Sequence, residues 1–431
     1  MARKVFISFL GTNNYVECCY SNDEHYPVRF IQETLIRETC KDWTTNDHIY
    51  IFCTTDAETR NWVDNGQDGT TDDIEKIGLE SRLNGLKLSV PFEKIWIPEG
   101  FLEDDIWAIF DTVYKNLQKD DEIYFDVTHA FRSIPLFSTV LFNYSRFMIG
   151  TTVVSIKYGA FEKLGSAFEV KKKPLKERGV APIVDLTNVI RLQQFTDMAN
   201  SLKTFGRVNK ISQMLNEQNS SFNPYLTKMS NAIESFDHHL LTNDLNAIKR
   251  GKDIIEIKNN IKQVRKSSIP NPIKNIIEEL DKELNGFVKE NSNKNIEEAI
   301  KWAVKYKMLA QAYTLGLEYI KHLFAEKFAD NNPFNHKTAS KNRKEFQEYF
   351  SALCSISQED IDANNFKNAL LEYKDLTIAF LNMDLVKELR LYYSKLGKNR
   401  NTINHAKGDV TYRDLVNEFE KPYSKCVELL K

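Results

Sequence analysis

The six cysteines of this chain, Cys18, Cys19, Cys40, Cys53, Cys354 and Cys426, form no C-x2-C pair. That spacing disfavours a zinc ribbon, and so few scattered thiols suit a reducing compartment better than a disulfide scaffold. No apolar run is long enough to span a bilayer, and no N-terminal signal pattern is present. A cytoplasmic protein without a membrane partner is therefore expected. An excess of charge of one sign is also missing. The formal net charge is −2, which excludes a polycation and leaves any nucleic-acid contact to local patches. No G-x-G-x-x-G follows the first apolar strand, and no G-x4-G-K-[ST] occurs. A standard dinucleotide cofactor and a P-loop nucleotide site are both disfavoured. No internal repeat or long low-complexity tract is visible.

What is present divides into two parts. At 431 residues the chain exceeds one ordinary domain, and 42% hydrophobic with 27% charged residues fits a folded globular protein. Up to about Thr187, short apolar strands alternate with helical segments. Strands are expected at Lys4–Leu10, His48–Cys53, Lys94–Ile97, Glu122–Asp126 and Thr152–Tyr158, the last closing the series. Helices are expected at about Val28–Cys40, Ile74–Leu86, Leu102–Leu117 and Ser133–Phe147, with a loop over Asn61–Asp73. Apolar strands between helices predict a parallel sheet covered on both faces, an α/β Rossmann-like domain over residues 1–187. The basic stretch Lys171–Arg178 reads as a hairpin or loop. From 188 to 431 the periodicity is helical throughout, with Trp302–Phe324 and Leu381–Leu396 the clearest helices, and an all-α domain is expected. Within it, about Asn209–Asn295 carries no readable motif.

Two places carry chemistry. Near the C-terminus stands Arg400-Asn401-Thr402-Ile403-Asn404-His405, and no Asp or Glu occurs from Arg390 to Lys407. Arg neutralises charge growing on phosphate oxygens, and His moves protons near neutral pH, a pairing suited to phosphodiester chemistry without a metal. Positions five apart on a helix lie roughly 140° from alignment. Arg400 and His405 converge if the helix starts or bends between them, or if two copies of the chain face each other. The second place is the carboxyl end of the predicted sheet, where such folds bind ligands. The first strand runs into Gly11-Thr12-Asn13-Asn14, and the strand ending at Asp126 runs into Val127-Thr128-His129-Ala130-Phe131-Arg132-Ser133. Small residues, hydroxyls and backbone N–H groups before a helix suit phosphate, with His129 and Arg132 adding cationic or polar contacts. A second basic run, Lys337, Lys341, Arg343 and Lys344, follows His336. The adjacent His238 and His239 point in different directions with no nearby acid, and are expected to be ordinary helix residues.

K-V-F-I-S-F-L-G-T-N-N-Y, D-V-T-H-A-F-R-S-I-P, S-I-K-Y-G-A-F-E and A-P-I-V-D-L-T, in that order, together resemble the CRISPR-associated Rossmann-fold (CARF) sensors of type III CRISPR systems. The late R-N-x-x-N-H resembles the HEPN ribonuclease motif of the same proteins. The resemblance implies a homodimer or higher oligomer whose sensor domains bind cyclic oligoadenylate, with the tetra-adenylate favoured over the hexa-adenylate. It implies metal-independent cleavage of single-stranded RNA in the helical domains, with no cofactor beyond the activator. Carried over, Gly11, Thr12, Asn13, Thr128, His129 and Arg132 would line the ring-shaped ligand. Arg400 and His405 would be catalytic, with Asn401 and Asn404 orienting phosphate or imidazole. Two other readings stand beside this one: a nucleotide-sensing regulator without nuclease activity, and a ring nuclease that degrades cyclic oligoadenylate with help from Thr12, Thr128 or His129.

Overall fold

The computed structural model describes residues 2–20, 26–64, 77–129, 133–217, 224–267, 269–335, 338–405 and 411–431. The chain divides into two compact units, Met1–Gln193 and Gln194–Lys431.

The first unit is built on β1 (Lys4–Leu10), β2 (Cys19–Tyr20), α1 (Ile31–Thr39), β3 (His48–Cys53), α2 (Leu79–Gly85), β4 (Phe92–Trp96), α3 (Glu103–Lys115), β5 (Glu122–Asp126), α4 (Ser133–Ile149), β6 (Thr152–Gly159), β7 (Val180–Ala181) and β8 (Ile183–Asp185). Six of these strands form one sheet in the order β4-β3-β1-β5-β6-β8. All its pairings are parallel except β6 with β8. The strand series therefore does not close at Tyr158: Ile183–Asp185 turns back antiparallel to it. Three residues gave too short an apolar signal to mark a strand. β2 and β7 pair separately.

Strand alternation sorts side chains to two faces. Phe6, Leu10, Ile49 and Ile51 pack with Ile31 and Leu35 of α1 and with Leu79 and Leu83 of α2. Val5, Ile7, Phe9, Tyr50, Phe52, Ile123 and Phe125 pack with Ile109 and Val113 of α3 and with Leu141 and Phe142 of α4. The expected two-sided burial holds. Asn61 is not in a loop. It is buried in a short π-helical turn, Glu58–Trp62, while residues 65–73 of the expected loop lie outside the described residues. Lys171–Arg178 is not a hairpin, because Lys171 and Lys172 end a short helix that Ser166 caps and Leu175–Glu177 forms a 3-10 turn.

The second unit is helical. α5 (Thr187–Phe205) contains the division between units. It is followed by α6 (Asn209–Glu217), α7 (Pro224–Thr242), α8 (Leu245–Arg250), α9 (Lys252–Arg265), α10 (Asn271–Glu283), α11 (Asn293–Lys305), α12 (Leu309–Lys327), α13 (Ala339–Ser355), α14 (Lys374–Asn382), α15 (Asp384–Asn404) and α16 (Tyr412–Leu430), joined by short helical turns. One continuous core runs through it from Phe195 to Leu430. The expected helix Trp302–Phe324 is two helices. The chain breaks at Lys307, whose φ of 60° is left-handed, a break that an unbroken apolar period does not announce. Leu381–Leu396 is likewise split at Met383, which sits extended at the start of α15. Among the described residues, no helix is long and apolar enough to cross a membrane, and all six cysteines are free, five of them buried.

Candidate functional sites

In the first unit the chain crosses from one side of β1 to the other between β4 and β5, so the β1 and β5 ends flank the place where the strand order reverses. Ser8 is in register with Asp126, which sets the two following loops side by side. The fully buried Asp126 carboxylate accepts from Ser8 Oγ at 2.8 Å and from the Thr128 N–H at 3.0 Å. Burial raises its pKa, and these hydrogen bonds oppose the rise. Gln32 of α1 donates to Ser8 Oγ at 3.1 Å and completes the cluster. Asn61 fixes the β1 loop: its Nδ2 donates to the carbonyls of Gly11 (2.8 Å) and Asn13 (3.0 Å).

Above this frame lies a cleft of about 440 Å³, lined by Asn13, Asn14, Tyr15, Arg29, Thr128, His129, Tyr158, Gly159 and Glu162 among others. Asn13, Thr128 and His129 are thus brought together. Gly11 and Thr12 are not among the lining residues. Gly11 is buried behind the cleft, where a Cβ would stand 2.5 Å from the Tyr15 hydroxyl and 3.0 Å from the His129 carbonyl. Thr128 Oγ1 accepts from the Gly159 N–H at 2.8 Å, tying the β5 loop to β6. The His129 ring packs tilted against Tyr15, with centroids 4.2 Å apart, and its Nε2 is buried without a partner. Burial pushes the His129 pKa down to about 3, so this ring is neutral near pH 7 and offers the cleft the polar contact expected of His129, without a charge. Arg132 lies outside the described residues.

The cation that does line the cleft is Arg29, just before α1. It is buried, its guanidinium lies 5.1 Å from the Phe30 ring centroid, and Nη1 donates to the Ile77 carbonyl at 3.4 Å. Burial lowers its pKa, with Arg82 contributing in the same direction. Nothing in the sequence singled out Arg29, because it sits between strand one and its helix in a stretch with no phosphate motif. Tyr158 was passed over as a strand residue. Its hydroxyl donates to Glu162 at 2.6 Å.

In the second unit, α15 starts at Asp384 and runs unbroken through Asn404, and His405 is its C-terminal cap, with its N–H donating to the Asn401 carbonyl at 2.9 Å. The helix neither starts nor breaks between Arg400 and His405, so their side chains leave it roughly 140° apart. Spacing of four aligns Arg400 with Asn404 and Asn401 with His405. Asn401, Asn404 and His405 are exposed, while Arg400 is half-buried with Nε lacking a partner. Arg400 and Asn401 line a groove of about 550 Å³ between α13 and α15.

Asn399, which the motif reading did not use, is the buried anchor. Its Nδ2 donates to Tyr313 Oη (3.2 Å) and Glu418 Oε2 (3.0 Å), and the Tyr313 hydroxyl donates to the Leu415 carbonyl (2.8 Å). These bonds fix α15 against α12 and α16. Lys341, Arg343 and Lys344 are exposed on α13; His336 and Lys337 lie outside the described residues. His239 does have an acid nearby, since its Nδ1 is 2.7 Å from Asp253 of α9. Even so, no group of three or more His, Cys, Asp or Glu residues is placed to hold a metal among the described residues.

The first unit is thus an α/β fold with a cleft at its strand ends, and the second is an all-helical fold that carries R-x4-H at the end of α15. Part of the chain is similar to CRISPR-associated proteins. Residues 191–295 match the family model described as the second domain of CRISPR-associated protein MJ1674. The CRISPR-associated protein MJ1674 of Methanocaldococcus jannaschii is 30% identical over 142 residues, 32% of this chain and 21% of that relative. The match thus spans about a fifth of the relative's length. The solved structure of Enterococcus italicus Csm6 bound to cyclic hexa-2'-fluoro-hexa-dAMP aligns over 100% of this chain and 94% of its own, at TM-score 0.47 and 12% identity. The family match begins within α5 and covers the whole of Asn209–Asn295, the stretch without a readable motif.

Proposed function

We propose that this protein is a cytoplasmic, cyclic oligoadenylate-activated endoribonuclease that cleaves single-stranded RNA without a metal, as an ancillary effector of type III CRISPR defence. Residues 1–187 are the sensor and 188–431 the HEPN-type nuclease. In the sensor, Asn13, Thr128, His129 and Arg132 meet the ring, and Gly11 and Thr12 shape the loop beneath it. Arg29 supplies the buried cation for a ligand phosphate. In the nuclease, the substrate ribose 2′-OH attacks the adjacent phosphorus, the new O–P bond forms, and the bond to the 5′-oxygen breaks. His405 takes the proton from the nucleophile or returns one to the leaving oxygen. Arg400 neutralises the phosphorane, and Asn401 and Asn404 orient imidazole and phosphate. The products are a 2′,3′-cyclic phosphate and a 5′-OH.

The observation that carries this reading is the acid-free end of α15, where a half-buried arginine has an unpartnered Nε and an exposed histidine caps the same helix. Because one straight helix keeps the two apart, the reading requires a second copy, and we take the active form to be a homodimer. Val140, Tyr144, Phe147 and Met148 of α4 leave an apolar stripe exposed, which such a partner would cover.

The test is to incubate labelled RNA with cyclic tetra- or hexa-adenylate and identify the product ends. Cyclic-phosphate ends support the nuclease. Ring binding without RNA cleavage supports the regulator, and loss of the ring itself supports the ring nuclease. His129 keeps that last reading open, since its neutral ring has an unpartnered nitrogen beside the cleft.

A further inference from the structure

The groove beside Arg400 is basic beyond what the R-x4-H motif needs. Its walls carry Lys387, Arg390, Lys398 and Arg400 with the hydroxyls of Ser351 and Ser355, and no Asp or Glu is among its lining residues. Arg390 donates through Nη2 to the Ile356 carbonyl at 2.8 Å, and Ser394 Oγ donates to the Cys354 carbonyl at 2.9 Å. These bonds satisfy carbonyls at the end of α13 and set the plane of the Arg390 guanidinium. They leave its Nε buried without a partner, as is the Nε of Arg400. Two such donors in one acid-free groove are costly unless a ligand accepts from them. Capping α13 accounts for one nitrogen of Arg390. It does not account for Nε, nor for Lys398, which has no ion pair among the described residues, whereas Lys387 is 3.0 Å from Asp384.

We propose that this groove holds the phosphodiester backbone of the RNA strand next to the scissile phosphate, with Arg390 and Lys398 as its phosphate-binding residues. Ten residues separate Arg390 from Arg400, about 15 Å along the helix. Adjacent phosphates on one strand of a duplex are about 3.4 Å apart along the axis. The row of cations therefore fits a polyanion better than a single phosphate ion. The proposal rests on the nuclease reading of Arg400 and His405, because it makes the groove the approach to that site.

The experiment uses the full chain carrying His405→Ala, so that bound RNA is not consumed. Fluorescein-labelled single-stranded RNA is titrated at several salt concentrations in the presence of cyclic tetra- or hexa-adenylate, and anisotropy is read. Adding Lys398→Gln is expected to weaken binding by at least about 10-fold. It is also expected to reduce the slope of log affinity against log salt by about 0.7, the value for one fewer phosphate neutralised on a single strand. Arg390→Gln should do the same. Because Arg390 also holds α13, Lys398→Gln, whose side chain makes no hydrogen bond among the described residues, keeps the test decisive if the Arg390 variant fails to fold. Unchanged affinity and slope in Lys398→Gln overturn the proposal. Polyglutamate bound as tightly through the same cations overturns it too and assigns the groove to a protein partner. Cleavage by the wild-type chain is read separately. Groove-dependent RNA binding with no cleavage sinks the nuclease reading and spares the groove; cleavage with groove-independent binding does the reverse.

Discussion

The residues at both sites differ most in how the fold charges them. His129 is the clearest case. Above about pH 6.5 its ring is neutral folded or unfolded, and it adds no pH dependence. Below that value the unfolded chain takes up a proton, which the folded chain refuses until about pH 3. Stability is therefore lost as pH falls through that window, by at most ~1.4 kcal/mol per pH unit, and less because the residue is partly exposed. Urea melts at pH 7 and pH 5 should show a larger loss for the wild type than for His129→Gln; equal losses would place the ring in solvent. Arg29 is the cation among the described residues lining the cleft, so Arg29→Met should raise the activator concentration for half-maximal cleavage by at least about 10-fold, since a charge-assisted hydrogen bond is worth about 1.5–3 kcal/mol. An unmoved midpoint in an activator titration would take Arg29 out of the ligand's reach. His405→Ala should lose ~10²–10⁴-fold in cleavage and still bind activator. Wild-type rates in that variant would remove His405 from the chemistry.

At the scale of elements, α15 presents the R-x4-H residues because its neighbours hold it. Asn399→Ala deprives Tyr313 and Glu418 of a shared donor inside the core and should lower stability by about 1–3 kcal/mol in chemical denaturation. A loss under a few tenths would mean that α15 is held by its apolar face alone. Gly11→Ala should be destabilising by about 1–3 kcal/mol through overpacking against Tyr15, read as a lower melting temperature. Legibility at this scale follows apolar density. β1, β3 and β5 are predominantly apolar runs, and their bounds were readable from sequence to the residue. β8 is three residues long, and its place in the sheet depends on pairing with β6, which no local pattern encodes. The breaks at Lys307 and Met383 interrupt helical periods without Gly or Pro, and were invisible for that reason. In the sensor cleft, the strand-end loops were legible because small and hydroxyl residues mark such turns. Arg29 and Asn61 were not, because each reaches the loops from another part of the chain. The groove along α15 was legible only as a missing acid, and its other wall comes from α13.

At the scale of the whole molecule, the account needs two copies and a ligand. The cleft at the strand ends and the R-x4-H helix belong to different units, so on the proposed reading the ring would have to act by favouring one arrangement of a dimer over another. A cyclic oligoadenylate has internal symmetry that a two-fold pair of sensors can match. Phe147→Glu with Met148→Lys should charge the α4 stripe, shift sedimentation from dimer to monomer and abolish gated cleavage. A variant that stays dimeric would place the partner elsewhere. The central claim is that this chain is a metal-free ribonuclease switched on by cyclic oligoadenylate. It is tested most directly by following the cleavage of single-stranded RNA in EDTA while cyclic oligoadenylate is titrated. The account predicts little cleavage without the ring, a saturable rise with it, and no rise in His405→Ala. Cleavage that needs added magnesium or manganese, or that ignores the ring, would contradict it.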